Sequence, residues 1–207
     1  MLITISRQFA AGGSKVAGEV AERLGWRLVD NDFVQEIADR AGVTPEEVAE
    51  REERPSTFIE RLARITALEI PEMFLPTSDV LEEHGEAHFV RLTRLLVEEL
   101  AAEQRCVVVG RASAAVLSRV KDTLHVRIVA PRAFRIERAM SQLGLDRDEA
   151  EGRLESTDAN RTRYHREYHR RDCTDPANYD MVLNTGRLGI SAAANVIMHR
   201  ARILGWA

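Results

Sequence analysis

The sequence predicts an α/β protein in which helices flank a parallel sheet. Three observations predict this class: short runs rich in β-branched residues, long amphipathic stretches between them, and the alternation of the two along much of the chain. The chain has 207 residues, of which 44% are hydrophobic, so it can bury one core of ordinary size. We therefore expect a single α/β domain over residues 1–207.

Five runs have the length and composition of buried strands. Each is short and mostly aliphatic, as expected for a parallel sheet that is covered by helices. In chain order these predicted strands are residues 2–5, 27–29, 106–109, 125–129 and 181–183.

The segments between the strands have helical patterns. In residues 15–24, Val16, Val20 and Leu24 are four positions apart and therefore share one helix face. Residues 44–47 read Thr-Pro-Glu-Glu, which is typical of a helix start with an N-cap threonine and an early proline. Further helices are predicted at residues 79–103, 131–142 and 190–204.

Two segments depart from the simple alternation. Residues 33–103 contain no strand pattern and are broken by prolines, which predicts a helical insertion between the second and third strands. Residues 144–172 are mostly helical, rich in arginine and lie between the fourth and fifth strands. The α/β core then consists of residues 1–32, 104–143 and 173–207.

Composition and charge exclude several classes of protein. The net charge of −4 argues against a dedicated nucleic-acid binder, which is usually basic. Cys106 and Cys173 are too few for a disulfide framework and lack the spacing of metal ligands, so we expect a reducing, cytoplasmic setting. No apolar run approaches the ~18 residues that a membrane span needs.

The first strand leads into a glycine-rich turn and a helix, ITISRQFAAGGSKVAGEVAERLG. A full phosphate loop reads G-x-x-x-x-G-K-[ST], and this turn matches it in part. Arg7 stands at the first glycine, Gly12 at the second, Gly13 at the lysine and Ser14 at the hydroxyl position, and Lys15 follows. The turn is therefore either a phosphate site or a tight strand-to-helix connection that needs two glycines.

Two cations near this turn favour the phosphate site. Only Lys15 and Lys121 are lysines among the 29 basic residues, so a lysine beside this turn is an uncommon coincidence. Arg7 could also bring a guanidinium to the phosphates.

The segment DANRTRYHREYHRRD, residues 158–172, carries a local excess of positive charge. Its arginines are Arg161, Arg163, Arg166, Arg170 and Arg171. They favour a polyanionic ligand, because a guanidinium binds two phosphate oxygens at once. The alternative is a solvated helix face with ion pairs such as Arg163–Glu167. The Tyr and His residues at positions 164, 165, 168 and 169 have the spacing of helix packing, rather than of a zinc site or of RNA stacking.

The third strand ends at Gly110-Arg111, where a helix begins. Ligands of open α/β sheets gather at the carboxyl ends of strands, so Arg111 is predicted to lie near the crevice of Gly12 and Gly13. The alternatives are that Arg111 caps the sheet or that it pairs with an acid of the helical insertion.

Taken together, these segments resemble the cytidylate kinase-like proteins of the P-loop nucleoside monophosphate kinase superfamily. The opening motif of that family reads roughly S-R-[EQ]-[FY]-G-S-G-G. The resemblance rests on ITISRQFAAGGSKVA, RLVDNDFV, VVVGRAS, HVRIVAPRAFRIERAM, DANRTRYHREYHRRD and NYDMVLNT, and it covers nearly the whole chain in the family's order.

The resemblance implies a five-stranded parallel sheet of the P-loop kinase type, an acceptor-binding insertion at residues 33–103 and an arginine-rich lid at residues 144–172. It implies ATP and Mg²⁺ as cofactors and a phosphate loop over residues 6–15. The donor-binding residues would be Ser6, Arg7, Gly12, Gly13, Ser14, Lys15 and Arg135, with Ser14 also on the metal. Lys15, Arg161 and Arg163 would be catalytic, and Asp30, Arg111 and Asp158 would bind the acceptor.

Three positions depart from the family pattern. Gly13 replaces the loop lysine, Val109 replaces an aspartate before Gly110-Arg111, and Glu36 stands near an expected acceptor-contacting arginine. The leading hypothesis is ATP-dependent phosphoryl transfer to a nucleoside monophosphate, CMP or dCMP. The alternatives are a nucleotide-binding regulatory protein that does not catalyse and a kinase of another small acceptor. We expect small nucleotides as partners, no membrane, no nucleic acid, and a monomer or homodimer.

Overall fold

The structure is a computed structural model that describes residues 1–30 and 101–207, together with positions 90, 91, 94, 95 and 97–99. The chain divides into two compact units, residues 1–30 with 97–207, and residues 31–96. The first unit is called the described unit. The predicted helix at residues 44–47, most of the predicted insertion and Glu36 lie outside the described residues.

The described unit contains a five-stranded, wholly parallel sheet. Its strands follow the order β2-β3-β1-β4-β5 across the sheet. The strands are β1 (Leu2–Arg7), β2 (Arg27–Val29), β3 (Cys106–Val109), β4 (Thr123–Val129) and β5 (Met181–Asn184). The predicted parallel α/β sheet is confirmed.

Strand β1 is longer than the sequence predicted. Ser6 and Arg7, expected in the phosphate loop, are its last two residues and pair with Arg127 and Ile128 of β4. The aliphatic pattern ends at Ile5, but backbone pairing to a neighbouring strand does not require an aliphatic side chain. The loop itself therefore begins at Gln8.

Helices connect the strands. They are α1 (Gly13–Leu24), α2 (Ser113–Val116), α3 (Arg132–Leu143), α4 (Arg147–His169), α5 (Thr185–Leu188) and α6 (Ile190–Ile203), with a short 3₁₀ turn at Pro176–Asn178. The described residues between 90 and 103 are also helical, in agreement with the end of the helix predicted at 79–103. None of the helices in the described ranges is both long and apolar enough to cross a membrane.

The main core lies between the sheet and the pair α1 and α6. Val16 and Val20 of α1 are fully buried on the face that the sequence predicted, and Ile197 of α6 is buried against them in the same cluster. Trp26 and Trp206 pack on each other beside this core, with ring centroids 5.9 Å apart.

A second, smaller cluster joins α3 to α4. Ile136 and Ala139 of α3 pack with Ala150 and Leu154 of α4, and the loop residues Phe9 and Ala10 pack against them. The loop after β1 is therefore attached to α3 and α4 as well as to its own strand.

The parallel arrangement brings several loops to one edge of the sheet. The segments that follow β1, β2, β3 and β4 all begin at the carboxyl ends of their strands, where open α/β sheets bind ligands. Residues 8–12, Asp30, Gly110 with Arg111, and Ala130 occupy these positions.

The packing of α6 predicts different costs for two neighbouring substitutions. Ile197→Ala should lower the free energy of unfolding by about 3 kcal/mol, because it leaves a cavity between α6 and the sheet. Val196→Ala, next to it but 38% exposed, should cost less than about 1 kcal/mol. Urea denaturation of both variants measures the difference, and equal losses would contradict this packing.

Candidate phosphate-binding site

The loop after β1 ends at the N-terminus of α1. Gly12 is the N-cap of α1, has φ of 85° and makes no side-chain capping bond. The first backbone bond of the helix runs from the Val16 N–H to the Gly12 oxygen at 3.1 Å. The N–H groups of Gly13, Ser14 and Lys15 precede this bond, and such groups at a helix start bind anions well.

Both glycines allow an arginine to approach the loop closely. A Cβ on Gly13 would lie 2.6 Å from the Cβ of Arg7, and a Cβ on Gly12 would lie 3.3 Å from the Cζ of Arg138. A side chain at position 13 would displace the stem of Arg7, and one at position 12 would crowd Ile190 and the Arg138 guanidinium. Close packing therefore explains why glycine occupies both positions, and the side chains packed there include two arginines.

Two cations converge on one neutral oxygen near Gly12. With the Gln142 amide oriented to face them, its oxygen accepts hydrogen bonds from Arg138 Nη2 and Lys15 Nζ, each at 3.3 Å. Within the part of the chain that the structure describes, neither cation meets a carboxylate, and the buried Nε of Arg138 has no hydrogen-bond partner. Two like charges without a counter-charge attract an anionic ligand.

Arg138 was not among the residues singled out from the sequence. It lies one helical turn after Arg135 in α3, so a spacing signal was present. In a chain so rich in arginine, that signal did not distinguish it from its neighbours.

Arg7 extends from the end of β1 across to β3. A Cβ on Gly110, which has φ of 75°, would overlap the guanidinium of Arg7. That guanidinium therefore lies at the carboxyl end of β3, against Gly110, the residue that precedes the buried Arg111. Arg7 has no ion pair with any described residue. Asp30 follows β2 at the same edge and is half-buried.

Hydrogen bonds to distant elements hold the loop and the end of β1. The Gln8 side chain accepts a hydrogen bond from the Ala130 N–H at 3.1 Å, and Thr185 Oγ1 donates to the Ala11 oxygen at 2.6 Å. Arg161 Nη1 donates to the Arg7 oxygen at 3.1 Å. These contacts fix the loop at both of its ends.

A partly buried ion pair holds the middle of the loop. Arg135 Nη1 lies 2.5 Å from Asp158 Oδ2, and only 8% of the Arg135 side chain is exposed. Asp158 Oδ1 accepts from the Phe9 N–H at 2.9 Å, and Arg135 Nη1 donates to the Phe9 oxygen at 3.4 Å.

The predicted site residues therefore fall into distinct groups. Ser14 and Lys15 are exposed at the start of α1, whereas Ser6 is buried inside β1. Asp158 and Arg135 contact the loop backbone at Phe9, and Arg161 contacts the backbone of Arg7 at the end of β1. Arg163 is half-exposed and lies 4.0 Å from Glu167, the solvated ion pair that was the alternative interpretation.

The aromatic residues of α4 pack on one another. Tyr164 contacts His165, Tyr168 and His169 at centroid distances of 5.3 to 6.4 Å. Burial, followed by the nearby charge of His169 and then of arginines, lowers the pKa of His165 to about 4. No group of three side chains suited to a metal occurs in the described ranges, His165 and His169 included.

The donor set at the loop fits a ligand that carries phosphate groups. Three backbone N–H groups, Lys15 and Arg138 suit phosphate oxygens, which accept hydrogen bonds and carry negative charge. The exposed Ser14 hydroxyl is the oxygen suited to Mg²⁺, which commonly binds through one or two protein oxygens together with phosphates and water.

A model of the cytidylate kinase-like family matches residues 2–187. The chain is 26% identical to the cytidylate kinase of Natronomonas pharaonis over 198 residues, which cover 95% of this chain and 87% of that protein. It is 22% identical to the cytidylate kinase of Methanocaldococcus jannaschii, with 95% of each chain covered.

Solved structures share the fold. An uncharacterized protein from Eubacterium ventriosum matches with a TM-score of 0.65 at 19% identity, over 97% of both chains. Shikimate kinase from Bacteroides thetaiotaomicron matches with a TM-score of 0.56 at 15% identity, over 98% of both chains. These similarities confirm the predicted P-loop kinase type of fold.

The burial of His165 predicts a pH dependence of stability. The folded protein keeps this imidazole neutral down to a pH of about 4, whereas in the unfolded chain it takes up a proton below about 6.5. Stability should therefore fall as the pH falls through this window, and His165→Gln should remove up to about 3 kcal/mol of that fall.

Urea denaturation at pH 7 and pH 4.5 measures this effect. The exposed His199→Gln provides the control and should keep the full dependence of the parent protein. A parallel loss of stability in the parent and in His165→Gln would contradict the burial of a neutral His165.

Proposed function

The chain belongs to the cytidylate kinase-like family, and we propose that it transfers the γ-phosphoryl group of ATP to a nucleoside monophosphate, CMP or dCMP. The observation that carries this proposal is the pair Lys15 and Arg138, which share the Gln142 oxygen beside the N-terminus of α1 and lack a carboxylate partner among the described residues.

The loop and its two cations form the proposed donor site. The N–H groups of Gly13, Ser14 and Lys15 would bind the β-phosphate, while Lys15 and Arg138 would neutralise charge on the phosphate chain. Mg²⁺ supplies further charge neutralisation when it is bound with ATP, and the Ser14 hydroxyl would contact it. Phosphoryl transfer needs mostly positioning and charge neutralisation, so this set of groups suits the reaction.

Arg7 is the proposed substitute for the missing loop lysine. Gly13 packs so closely on Arg7 that a lysine at position 13 would displace the arginine. The Arg7 guanidinium reaches the end of β3, and its backbone oxygen is held by Arg161. It would therefore bind the transferred phosphoryl group between the donor loop and the acceptor side.

The proposed acceptor side lies at the ends of β2 and β3. Arg111 would bind the acceptor phosphate and Asp30 would bind elsewhere on the acceptor, as the family resemblance implies. The choice of CMP or dCMP rests on that resemblance and on two curated relatives that are named cytidylate kinases.

Two observations favour a second candidate, a nucleotide-binding protein that does not catalyse. Val109 is buried where the family pattern has an aspartate, and Arg163 pairs with Glu167. Such a protein would bind ATP and shift its melting temperature without transferring phosphate to any acceptor. A kinase of another small acceptor remains the third hypothesis.

A coupled assay for ADP release tests the proposal. It contains ATP, Mg²⁺ and one of the acceptors CMP, dCMP, UMP, AMP, GMP or TMP. We expect stimulation by CMP or dCMP. Arg138→Ala should lower kcat/KM about 100-fold, because it removes a cation from the transferring phosphates.

Arg132→Ala provides the matched control. Arg132 lies on the same helix but pairs with Glu151 and Glu155 at 3.0 and 2.6 Å, so its loss should leave turnover near the parent value. ATP-induced stabilisation without turnover on any acceptor would support the second candidate. Equal activity of Arg138→Ala and Arg132→Ala would exclude the assigned donor site.

A further inference from the structure

We propose that Asp158 is a positioning residue that holds the loop after β1 in its phosphate-binding shape, with Arg135 as its partner. In this assignment neither side chain contacts a nucleotide. The family resemblance implies other roles, with Asp158 on the acceptor and Arg135 on the donor. The expected effect on ATP affinity rests on the proposed function, whereas the effect on the loop does not.

The two side chains and Phe9 form a closed set of contacts. Asp158 offers one oxygen to the Phe9 N–H at 2.9 Å and the other to Arg135 at 2.5 Å. The same Arg135 nitrogen donates to the Phe9 oxygen at 3.4 Å. Each backbone polar group of Phe9 is therefore bound by one member of the pair.

The burial of the pair supports a structural use of both charges. The side chains of Arg135 and Asp158 are 8% and 27% exposed. A buried charge that loses its partner is strongly unfavourable, so Arg135 holds Asp158 in place and is held by it. Arg138, one turn further along α3, shows the opposite pattern, since no described carboxylate pairs with it.

The loop needs such external support. Ala10 has φ of 56°, a left-handed conformation that a residue with a Cβ adopts only when its surroundings impose it. Phe9 and Ala10 also pack on the apolar cluster of α3 and α4. Asp158 lies on α4, so its hydrogen bond joins this helix to the loop immediately before Ala10.

The test compares Asp158→Ala and Asp158→Asn with the control Asp146→Ala. Asp146 is the N-cap of the same helix, where its side chain accepts from the Glu149 N–H, so its loss weakens α4 without touching the loop. Hydrogen–deuterium exchange measures the amides of residues 8–13. Calorimetric titrations measure the affinities for ATP with Mg²⁺ and for CMP separately.

We expect Asp158→Ala to speed exchange in the loop and to weaken ATP binding by about tenfold, because a charge-assisted hydrogen bond to the loop is lost. CMP affinity should stay within about twofold of the parent value. Asp158→Asn should be intermediate, because its amide oxygen can still accept from Phe9. Asp146→Ala should match the parent in loop exchange and in both affinities.

Two results would overturn the assignment: unchanged loop exchange in both Asp158 variants, or a selective loss of CMP affinity. If Asp158→Ala fails to fold, Asp158→Asn carries the same comparison. If the parent protein binds neither ATP nor CMP, the proposed function fails, while loop exchange still decides the role of Asp158.

Discussion

The backbone of the loop between β1 and α1 must find its hydrogen-bond partners outside its own strand and helix, and the candidate site depends on this constraint. The Gln8 N–H donates to the Ile128 oxygen of β4. The Phe9 N–H donates to Asp158, 149 residues away, and the Ala11 oxygen accepts from Thr185, 174 residues away. Buried backbone groups must be paired, so the loop has its observed shape only when β4, α4 and α5 are already in place. Elements from distant parts of the described unit therefore determine the shape of this loop.

The arginines of α3 show how the same side chain acquires different uses. Arg132 points to the acids of α4 and forms exposed ion pairs. Arg135, one turn later, is buried with Asp158 and supports the loop. Arg138, one further turn along, faces Gly12 and shares a neutral oxygen with Lys15. The presence or absence of a carboxylate partner distinguishes the structural arginines from the one that is available to an anion.

The sequence predicted the sheet better than the site, for a physical reason. Aliphatic runs mark strands locally, and β2 and β3 have the predicted bounds. The position of a side chain in the site depends on contacts across the chain, so Arg138 was missed. The sequence could have assigned different roles to Arg161 and Arg163, because residues two positions apart on a helix point in nearly opposite directions. Arg161 reaches the end of β1 at Arg7, whereas Arg163 faces Glu167.

The central claim is that the loop and the start of α1 bind the phosphates of a nucleotide. Amide spectra of ¹⁵N-labelled protein, recorded during a titration with ATP and Mg²⁺, test it most directly. The largest shifts should occur at the amides of Gly12, Gly13, Ser14 and Lys15 and at the Nε–H of Arg138. Shifts confined to other parts of the chain, or none at saturating ATP, would contradict it.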